Sequence, residues 1–452
     1  MSTAHCPAIL IAAPASGQGK TTVACALARL HARQGRRVNV FKCGPDFLDP
    51  HWLALASGNP VYQLDLWMTG EADCAQRLHD AALVSDLIIV EGVMGLFDGE
   101  PSAADLAQRF GLPVLSVIDA SAMAGTFGAL AWGLQHYRDG LRFAGVLANR
   151  VASPGHAEML QAGLREKAQW QGALMRSEAF TLLERHLGLV MASELGDALA
   201  RLDAAADALA TTPLGQMDAS GLQAWAVPFM SFAAPDAAHS AFPTDALQGQ
   251  TIAVARDAAF CFLYTANLDC LQQMGAQLVY FSPLEDNAVP TCDALWLPGG
   301  YPELHAQTLA GNHAMRASIA RNVRSGKPVW AECGGMMTLF DQLTTVDGKS
   351  FPMWGVLPGS VTLHKRLAAL GPQQLEVGGA GSGQVLRGHA FHYSTCATEL
   401  PVAARTQAGP GRKLRGEGEA LYVAGSVKAS YFHAWFASHP AAAAGLFLKD
   451  SA

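Results

Sequence analysis

The sequence predicts an α/β protein built from two doubly wound parallel-sheet domains. Short apolar runs alternate with Ala-rich helical stretches, and this alternation stops near residue 196 and restarts at residue 251. The chain has 452 residues, which is about three typical domain lengths. Strands that alternate with helices form right-handed βαβ units, so each half should contain a parallel sheet covered on both faces.

The first half contains six buried runs that we expect to be strands. They are residues 8–13, 38–42, 87–91, 114–119, 146–149 and 187–192. Ala-rich helical stretches, such as residues 21–34, lie between them. We therefore assign residues 1–195 to a first domain.

Residues 196–248 are expected to connect the two domains. Residues 199–210 have the pattern of an Ala-rich helix, and four prolines then interrupt a stretch of weak periodicity. Alternation resumes with runs at 251–255, 278–281, 294–297 and 329–331. The second domain is therefore expected at residues 249–445.

Composition excludes several functional classes. Lys and Arg number 31 against 38 Asp and Glu, and the net charge of -7 argues against a dedicated nucleic-acid-binding protein. No run has the ~20 strongly apolar residues of a bilayer span, and no basic region precedes the first apolar run. The nine cysteines have the spacing of neither a disulfide framework nor a zinc site. We expect a cytoplasmic protein that binds neither membranes nor nucleic acid.

A phosphate-binding loop is predicted directly after the first strand. The run at residues 8–13 leads into the sequence PASGQGKTT, and a helical stretch follows. In this arrangement, backbone N–H groups and the helix dipole face an anion. Pro14 occupies a position where the strict pattern has Gly, which indicates a variant branch. We expect ATP to contact Gly17, Gln18, Gly19, Lys20, Thr21, Thr22 and Asn149, although Asn149 could equally be an ordinary turn residue.

Carboxylates follow the ends of neighbouring strands in the first half. Glu91 ends one run, Asp46 and Asp49 follow another, and Asp98 comes shortly after Glu91. The carboxyl ends of parallel strands form the ligand crevice of such a sheet, and a strand-end acid can reach Mg²⁺ there. The alternative is that Asp46 and Asp49 are turn residues beside prolines.

A nucleophilic cysteine is predicted in the second half. The sequence VWAECGGMM places Cys333 between a buried strand and a helix, with small residues behind it. This turn exposes a thiol at a helix N-terminus. The N–H groups of Gly334 and Gly300 are candidate oxyanion donors. The candidate bases are His433, His439, His389 and His392, of which we favour His433 because it ends a late apolar run.

These motifs together resemble the cobyrinic/hydrogenobyrinic acid a,c-diamide synthase family over nearly the whole chain. The first half is similar to dethiobiotin-synthetase-like ATPases, and the second to class I glutamine amidotransferases of the cobyrinate type. The matching segments are residues 13–22, FKCGPDFLDPH at 41–51, VEGVMGLFDG at 90–99, VARDAAFCF at 254–262, LPGGYPE at 297–303, residues 332–336 and RGHAFHYS at 387–394.

The resemblance implies ATP- and glutamine-dependent amidation of the a and c side-chain carboxylates of a corrin ring. It implies that Cys333 is the nucleophile and His433 its base. It also implies that Mg²⁺ is held by Thr21, Asp46 and Glu91. The small-molecule partners would be a corrinoid tetracarboxylate or related macrocycle, L-glutamine and ATP, and the chain would be able to form a homodimer.

Two features of the site are left open by the resemblance. Familiar amidotransferases carry Glu two residues after the catalytic His, and Trp435 stands there in this chain. The residue that orients His433 is therefore not identified. Candidate residues for the macrocycle or acyl-phosphate site are Asp49, Asp98, Arg387 and His389, of which the last two would bring cationic character to a polyanionic ring.

Three alternative functions are weighed against this one. A nickel-sirohydrochlorin a,c-diamide synthase or a cobyric acid synthase would keep the chemistry and change the substrate. A regulatory P-loop ATPase with a relic amidotransferase module would share the first half alone. The intact Cys333 turn argues against a relic.

Overall fold

The computed structural model describes residues 2–182, 184–185, 188–189, 192, 195–231, 242–378, 381–409, 413–414 and 416–449. The chain divides into two compact units, residues 1–235 and 236–452. This division differs from the predicted connector at 196–248, because the described residues 196–231 add helices and a strand to the first unit.

The first unit is built on an eight-stranded sheet. Seven strands are parallel in the order β3-β2-β4-β1-β5-β6-β7, and β10 pairs antiparallel with the start of β1. A two-stranded hairpin, β8 with β9, is separate from this sheet. In chain order the strands are β1 (Thr3–Ala12), β2 (Val38–Cys43), β3 (Tyr62–Leu64), β4 (Leu87–Glu91), β5 (Val114–Asp119), β6 (Phe143–Val151), β7 (Trp170–Met175), β8 (Glu184–Arg185), β9 (Gly188–Leu189) and β10 (Ala226–Met230).

Helices cover both faces of this sheet, because successive strand residues point to opposite sides. Ile9 and Ile11 pack into one core, while Leu10 and Ala12 pack into the other. The helices are α1 (Lys20–Arg33), α2 (Asp49–Ser57), α3 (Glu71–Val84), α4 (Ala103–Phe110), α5 (Thr126–His136), α6 (Pro154–Ala162), α7 (Ala198–Ala210) and α8 (Ala219–Gln223).

The second unit has a seven-stranded sheet in the order β12-β11-β13-β14-β24-β23-β21. The first five strands of this order are parallel, and the last two extend the edge in antiparallel pairing. The strands are β11 (Thr251–Ala255), β12 (Gln277–Phe281), β13 (Ala294–Leu297), β14 (Val329–Glu332), β21 (Val402–Arg405), β23 (Ala420–Ala424) and β24 (Val427–Ser430). This sheet also separates two cores, since Ala253 faces one and Ile252 the other.

Two four-stranded sheets and five helices complete the described part of this unit. One sheet has the order β16-β15-β17-β20 and the other β22-β18-β19-β25. Their strands are β15 (Phe340–Thr344), β16 (Ser350–Pro352), β17 (Leu357–Leu363), β18 (Ala369–Glu376), β19 (Val385–His392), β20 (Ser394–Ala397), β22 (Gln407–Ala408) and β25 (His433–Trp435). The helices are α9 (Thr265–Gln273), α10 (Ala306–Gly311), α11 (His313–Arg324), α12 (Gly334–Leu339) and α13 (Pro440–Ala444).

The predicted fold class is confirmed in both units. Five of the six strands predicted in the first half are β1, β2, β4, β5 and β6, and the four predicted in the second half are β11 to β14. The predicted strand at 187–192 lies largely outside the described residues, of which 188–189 form β9. Among the helices that the structure describes, none is long and apolar enough to cross a membrane.

Candidate functional site

The loop between β1 and α1 forms the phosphate-binding turn of the first unit. Gly17 and Gly19 have φ of 75° and 94°, which favour glycine, and α1 begins directly after Gly19. The ammonium group of Lys20 donates to the carbonyl of Ala15 at 3.1 Å and to that of Met94 at 2.7 Å. Thr22 lies in the first turn of the helix. The loop therefore has the backbone and the cation that a phosphate group requires.

Neighbouring strand ends support this loop from the side. The Asn149 amide donates to the carbonyl of Gln18 at 2.9 Å, and the backbone N–H of Asp119 donates to the Gln18 side chain at 2.8 Å. A Cβ on Gly19 would lie 2.1 Å from the Asn149 amide nitrogen, so only glycine fits there. This geometry gives Asn149 a contact with the loop backbone, and its predicted contact with ATP remains a prediction.

The segment after β4 packs against the same loop. The backbone N–H of Leu96 donates to the carbonyl of Ala13 at 2.8 Å. Asp98 accepts a hydrogen bond of 2.8 Å from the N–H of Gly95. Its negative charge favours the protonated form of Lys20, against the burial that lowers the Lys20 pKa. The structure therefore brings the predicted residue Asp98 to the phosphate loop.

Glu91 and Asp46 lie on either side of a buried lysine, Lys42. The Lys42 ammonium is 3.2 Å from Glu91, 3.6 Å from Asp46 and 2.5 Å from Asp49. Asp46 also accepts the N–H groups of Leu48 and Asp49 at 2.8 and 3.0 Å, so it stabilises the start of α2. The predicted carboxylates thus converge, and Lys42 joins them.

Charge and burial set the protonation of this cluster. Burial, with Asp49 nearby, raises the pKa of Asp46 and Glu91 above that of an ordinary carboxyl group. Burial would lower the pKa of Lys42, and the three carboxylates outweigh it and raise that pKa. The Lys42 ammonium group therefore stays protonated and paired with these carboxylates.

Thr21 and Glu91 have the chemistry of a divalent-cation site. The Thr21 hydroxyl donates to Oε1 of Glu91 at 2.6 Å. Among the residues that the structure describes, no hydrogen-bond partner reaches the buried Oε2 of Glu91. In the same residues, no three His, Cys, Asp or Glu side chains form a ready metal cage. A cation bound here would therefore need further ligands from phosphate oxygens or water, and Mg²⁺ is usually bound in this way.

Cys333 forms a strained turn between β14 and α12 in the second unit. Its φ of 43° and ψ of -107° lie in a region that non-glycine residues rarely adopt, as a nucleophile elbow requires. Burial raises the pKa of the Cys333 thiol well above its usual value, and Glu303 raises it further. The resting thiol is therefore protonated and needs a base.

The glycines around the elbow pack closely against the turn after β13. A Cβ on Gly334 would lie 2.9 Å from the Gly300 nitrogen, and one on Gly335 would lie 2.1 Å from the carbonyl oxygen of Leu297. A Cβ on Gly300 would lie 2.1 Å from the carbonyl oxygen of Ala259. Because these close approaches bring the two turns together, the predicted oxyanion donors Gly300 and Gly334 are neighbours.

His433 begins β25 at the same end of the sheet. The Cys333 N–H donates to the carbonyl of Ser430 at 2.8 Å, three residues before His433. A Cβ on Gly299 would lie 2.5 Å from Cε1 of His433, so the ring touches the turn that carries Gly300. Burial lowers the pKa of His433 to about 3, and His392 contributes to this shift. A neutral imidazole is the form that can accept a proton.

The other candidate histidines have different surroundings. His439 accepts the N–H of Ala442 at 3.1 Å at the start of α13. His392 lies 3.2 Å from Glu419. His389 is predicted both as a candidate base and as a substrate-site residue, and its ring stacks on that of His433 with centroids 5.0 Å apart. The structure thus places His389 beside the thiol site.

Arg387 lies on the same strand as His389 and opposite Trp435. Its backbone N–H donates to the Ser438 hydroxyl at 2.9 Å. Its predicted contact with the macrocycle remains a prediction.

Sequence reasoning missed two charged residues in these sites. Lys42 lies in the otherwise apolar strand β2, and Glu332 ends the apolar strand β14 directly before Cys333. Both are buried at 2% exposure. A single charge within a buried strand is the signal that could have identified them, since such a charge requires a partner.

Two family models match the chain, one in each unit. Residues 9–190 match the CobQ/CobB/MinD/ParA nucleotide binding domain. Residues 251–441 match the CobB/CobQ-like glutamine amidotransferase domain. The first unit thus contains a nucleotide-binding domain and the second an amidotransferase domain.

Full-length relatives extend this likeness across both units. A hydrogenobyrinate a,c-diamide synthase of Stutzerimonas stutzeri is 54% identical over 446 residues, which cover 99% of each chain. One of Pseudomonas aeruginosa is 54% identical and covers 99% of this chain and 98% of its own. A cobyrinate a,c-diamide synthase of Herminiimonas arsenicoxydans is 49% identical over 98% of this chain and 97% of its own. The chain therefore belongs to the family of hydrogenobyrinate and cobyrinate a,c-diamide synthases.

Proposed function

We propose that this protein catalyses the ATP- and glutamine-dependent amidation of the a and c side-chain carboxylates of hydrogenobyrinate or cobyrinate, in cobalamin biosynthesis. One observation carries the proposal: a phosphate loop and a thiol elbow occur in one chain that aligns over 99% of its length with a hydrogenobyrinate a,c-diamide synthase. Two relatives at 54% identity are named for hydrogenobyrinate. The metal-free ring is therefore the substrate that we propose first.

The first unit would activate the carboxylate. A carboxylate oxygen attacks the γ-phosphorus of ATP, the bond to the β,γ-bridging oxygen breaks, and ADP leaves. Lys20 and the backbone N–H groups of the loop would stabilise the charge of the transferring phosphoryl group. Asp49 and Asp98 border this site and would help to select the carboxylate. The resulting acyl phosphate has a good leaving group, and its carbonyl carbon is more electrophilic because the carboxylate charge is no longer delocalised over it.

We propose that Mg²⁺ acts with ATP, held by Thr21, Glu91 and Asp46. The Thr21 hydroxyl and the buried Oε2 of Glu91 are hard oxygen ligands at one place. When bound, the ion would neutralise phosphate charge as the phosphoryl group transfers. The release of Lys42 from Glu91 would then accompany metal binding.

The second unit would supply ammonia. His433 accepts the thiol proton of Cys333, the sulfur attacks the glutamine amide carbon, and the N–H groups of Gly334 and Gly300 would hold the oxyanion. The C–N bond breaks as His433 returns the proton, and ammonia leaves. Water then hydrolyses the thioester to glutamate. Ammonia displaces phosphate from the acyl phosphate and forms the amide.

Product mass spectrometry tests the proposal. The protein is incubated with ATP, Mg²⁺ and glutamine, and with hydrogenobyrinate, cobyrinate or nickel-sirohydrochlorin in parallel. We expect two exchanges of OH for NH₂ on a corrin ring, with hydrogenobyrinate converted fastest. Conversion of nickel-sirohydrochlorin alone, or more than two amidations, would assign the protein to a neighbouring amidase. ATP hydrolysis with no ring converted would favour the regulatory ATPase.

Two further expectations concern the protein in its cell. All nine cysteines are free thiols, which supports a reducing compartment such as the cytoplasm. We also propose that the chain can form a homodimer. Sedimentation velocity of the purified protein at micromolar concentration tests that proposal, and a single monomeric species would reject it.

A further inference from the structure

A buried carboxylate lies beside the His433 ring. Oε2 of Glu332 is 3.7 Å from Nδ1 of His433, and the side chains are 2% and 1% exposed. Glu332 directly precedes Cys333 in the chain. The proposed nucleophile and this carboxylate are therefore adjacent residues at the end of β14.

The other oxygen of Glu332 is held by two donors. Oε1 accepts hydrogen bonds from the indole N–H of Trp330 at 2.7 Å and from the backbone N–H of Ala434 at 3.4 Å. Strand pairing sets this position, because Glu332 lies opposite Ser430 in the register of β14 with β24. These contacts direct Oε2 towards the imidazole.

The position usually associated with this role cannot fill it. Trp435 lies two residues after His433, and an indole N–H is a donor that cannot accept the Nδ1 proton. The charge of Glu419 also reaches His433, but this carboxylate lies 3.2 Å from Nε2 of His392. His389 stacks on the His433 ring and carries no negative charge. Glu332 is thus a buried carboxylate placed to act on His433.

We propose that Glu332 is the positioning residue of the thiol site: Nδ1–H of His433 donates to its carboxylate, which leaves the Nε2 lone pair for the Cys333 thiol. The proposal rests on the function proposed for Cys333 and His433. A carboxylate in this relation fixes the imidazole tautomer and stabilises the imidazolium that forms. The 3.7 Å separation exceeds a formed hydrogen bond, and catalytic contacts in ligand-free enzymes commonly shorten when substrate binds.

A pH dependence follows from burial of this pair. Burial raises the pKa of Glu332 to about 8. Below that pH, the protonated carboxyl group would donate to Nδ1 and place the imidazole proton on Nε2, where it blocks base catalysis. Above it, the ionised carboxylate accepts from Nδ1–H. Glutaminase activity should therefore rise with pH through about 8.

Glu332→Gln is the sharpest test, because the two donors to Oε1 define the orientation of the new amide. Trp330 and Ala434 both donate, so the amide oxygen takes the place of Oε1 and the NH₂ group faces Nδ1. The amide then donates to Nδ1 and selects the wrong tautomer. Glu419→Gln is the matched control, since it changes a partly buried acid that pairs with a different histidine.

Three activities of the full chain are measured from pH 6 to 10: glutaminase turnover, alkylation of Cys333 by iodoacetamide, and ammonia-dependent amidation. Glu332→Gln should lower the glutaminase kcat by about 10²–10⁴-fold and remove the rise near pH 8. It should leave the glutamine KM and ammonia-dependent amidation within about threefold of wild type, because neither depends on the imidazole tautomer. Glu419→Gln should stay within about fivefold in every assay, because the Glu332–His433 pair is intact.

The proposal is overturned if Glu332→Gln retains a kcat within threefold of wild type, or if the wild-type profile lacks a rise near pH 8. The wild-type profile keeps the proposal testable where the variant fails to fold. Failure of the proposed function gives a different result from failure of the Glu332 proposal, because glutaminase activity would then persist in Cys333→Ser.

Discussion

The hydroxyl of Thr21 donates a hydrogen bond of 2.6 Å to Glu91, although the two residues are 70 positions apart in the chain. Thr21 lies in the first turn of α1 and Glu91 ends β4, so this contact joins the phosphate loop to the adjacent strand. The contact places a hydroxyl and a carboxylate beside the phosphate loop, where both would be ligands of the proposed Mg²⁺ ion.

Thr21→Val removes the hydroxyl and keeps the shape of the side chain. Amidation with either glutamine or ammonia should fall by about 10²-fold or more, because one proposed metal ligand is lost and Glu91 loses its donor. Glutaminase activity should be unchanged, since it resides in the second unit, and serves as the internal control. Normal ammonia-dependent amidation in this variant would remove Thr21 from the mechanism.

Cys333→Ser separates the two half-reactions. We expect loss of glutamine-dependent amidation by at least about 10³-fold, because the hydroxyl is a far weaker nucleophile in this site. Ammonia-dependent amidation should stay near the wild-type rate, because only the nitrogen source is lost. Both rates are measured by mass spectrometry of the corrin product, and loss of both would contradict this division of labour.

Lys42→Met tests the missed lysine as a stabilising group. Three carboxylates would lose their buried counter-ion, at a cost of about 3 kcal/mol or more in the free energy of unfolding. Burial would raise the pKa of Asp49, but Lys42 outweighs it and holds that pKa low. A depressed carboxyl pKa stabilises the fold above the unfolded-state value and less as pH falls.

The stability deficit of Lys42→Met should therefore be complete at neutral pH and shrink as pH falls below the ordinary carboxyl pKa of 3.8. Urea unfolding across the range from acidic to neutral pH, on both sides of that value, measures it. Lys349→Met, which removes an exposed lysine paired with Asp347, is the control and should change little. A deficit that does not vary with pH would show that Lys42 acts by packing alone.

Gly299→Ala tests the contact between the His433 ring and the turn that carries Gly299 and Gly300. The new Cβ would lie 2.5 Å from Cε1 of His433 and displace the ring. Glutaminase kcat should fall by about 10²-fold, the effect of a displacement near 1 Å, while ammonia-dependent amidation persists. Gly311→Ala adds the same methyl group where no atom lies within 4 Å, and should be neutral.

The features predicted from sequence are those that short segments encode. The central strands appear as apolar runs, and the turns at Lys20 and Cys333 carry glycines in a fixed local order. The strand β18 was missed because its exposed and buried residues alternate weakly and it contains Gly371 and Pro372.

Longer-range relationships were beyond the sequence. Glu332 faces His433 only because β14 pairs with β24, which lies almost a hundred residues further along the chain. The residue that orients His433 was not identified from the sequence, and the residue that we propose for it ends β14, directly before Cys333. Lys42 was missed for the same reason, since its partner Glu91 belongs to another strand.

The positive φ of Cys333 has a consequence for the stability of the fold. Glycine adopts this backbone readily, whereas cysteine is held there at the expense of about 1–3 kcal/mol. A Cys333→Gly change would relieve this backbone strain, but it would also remove a side chain from the core of the second unit. The strain therefore accompanies the thiol that we propose as the nucleophile, and ammonia release from glutamine is the proposed use that would account for it.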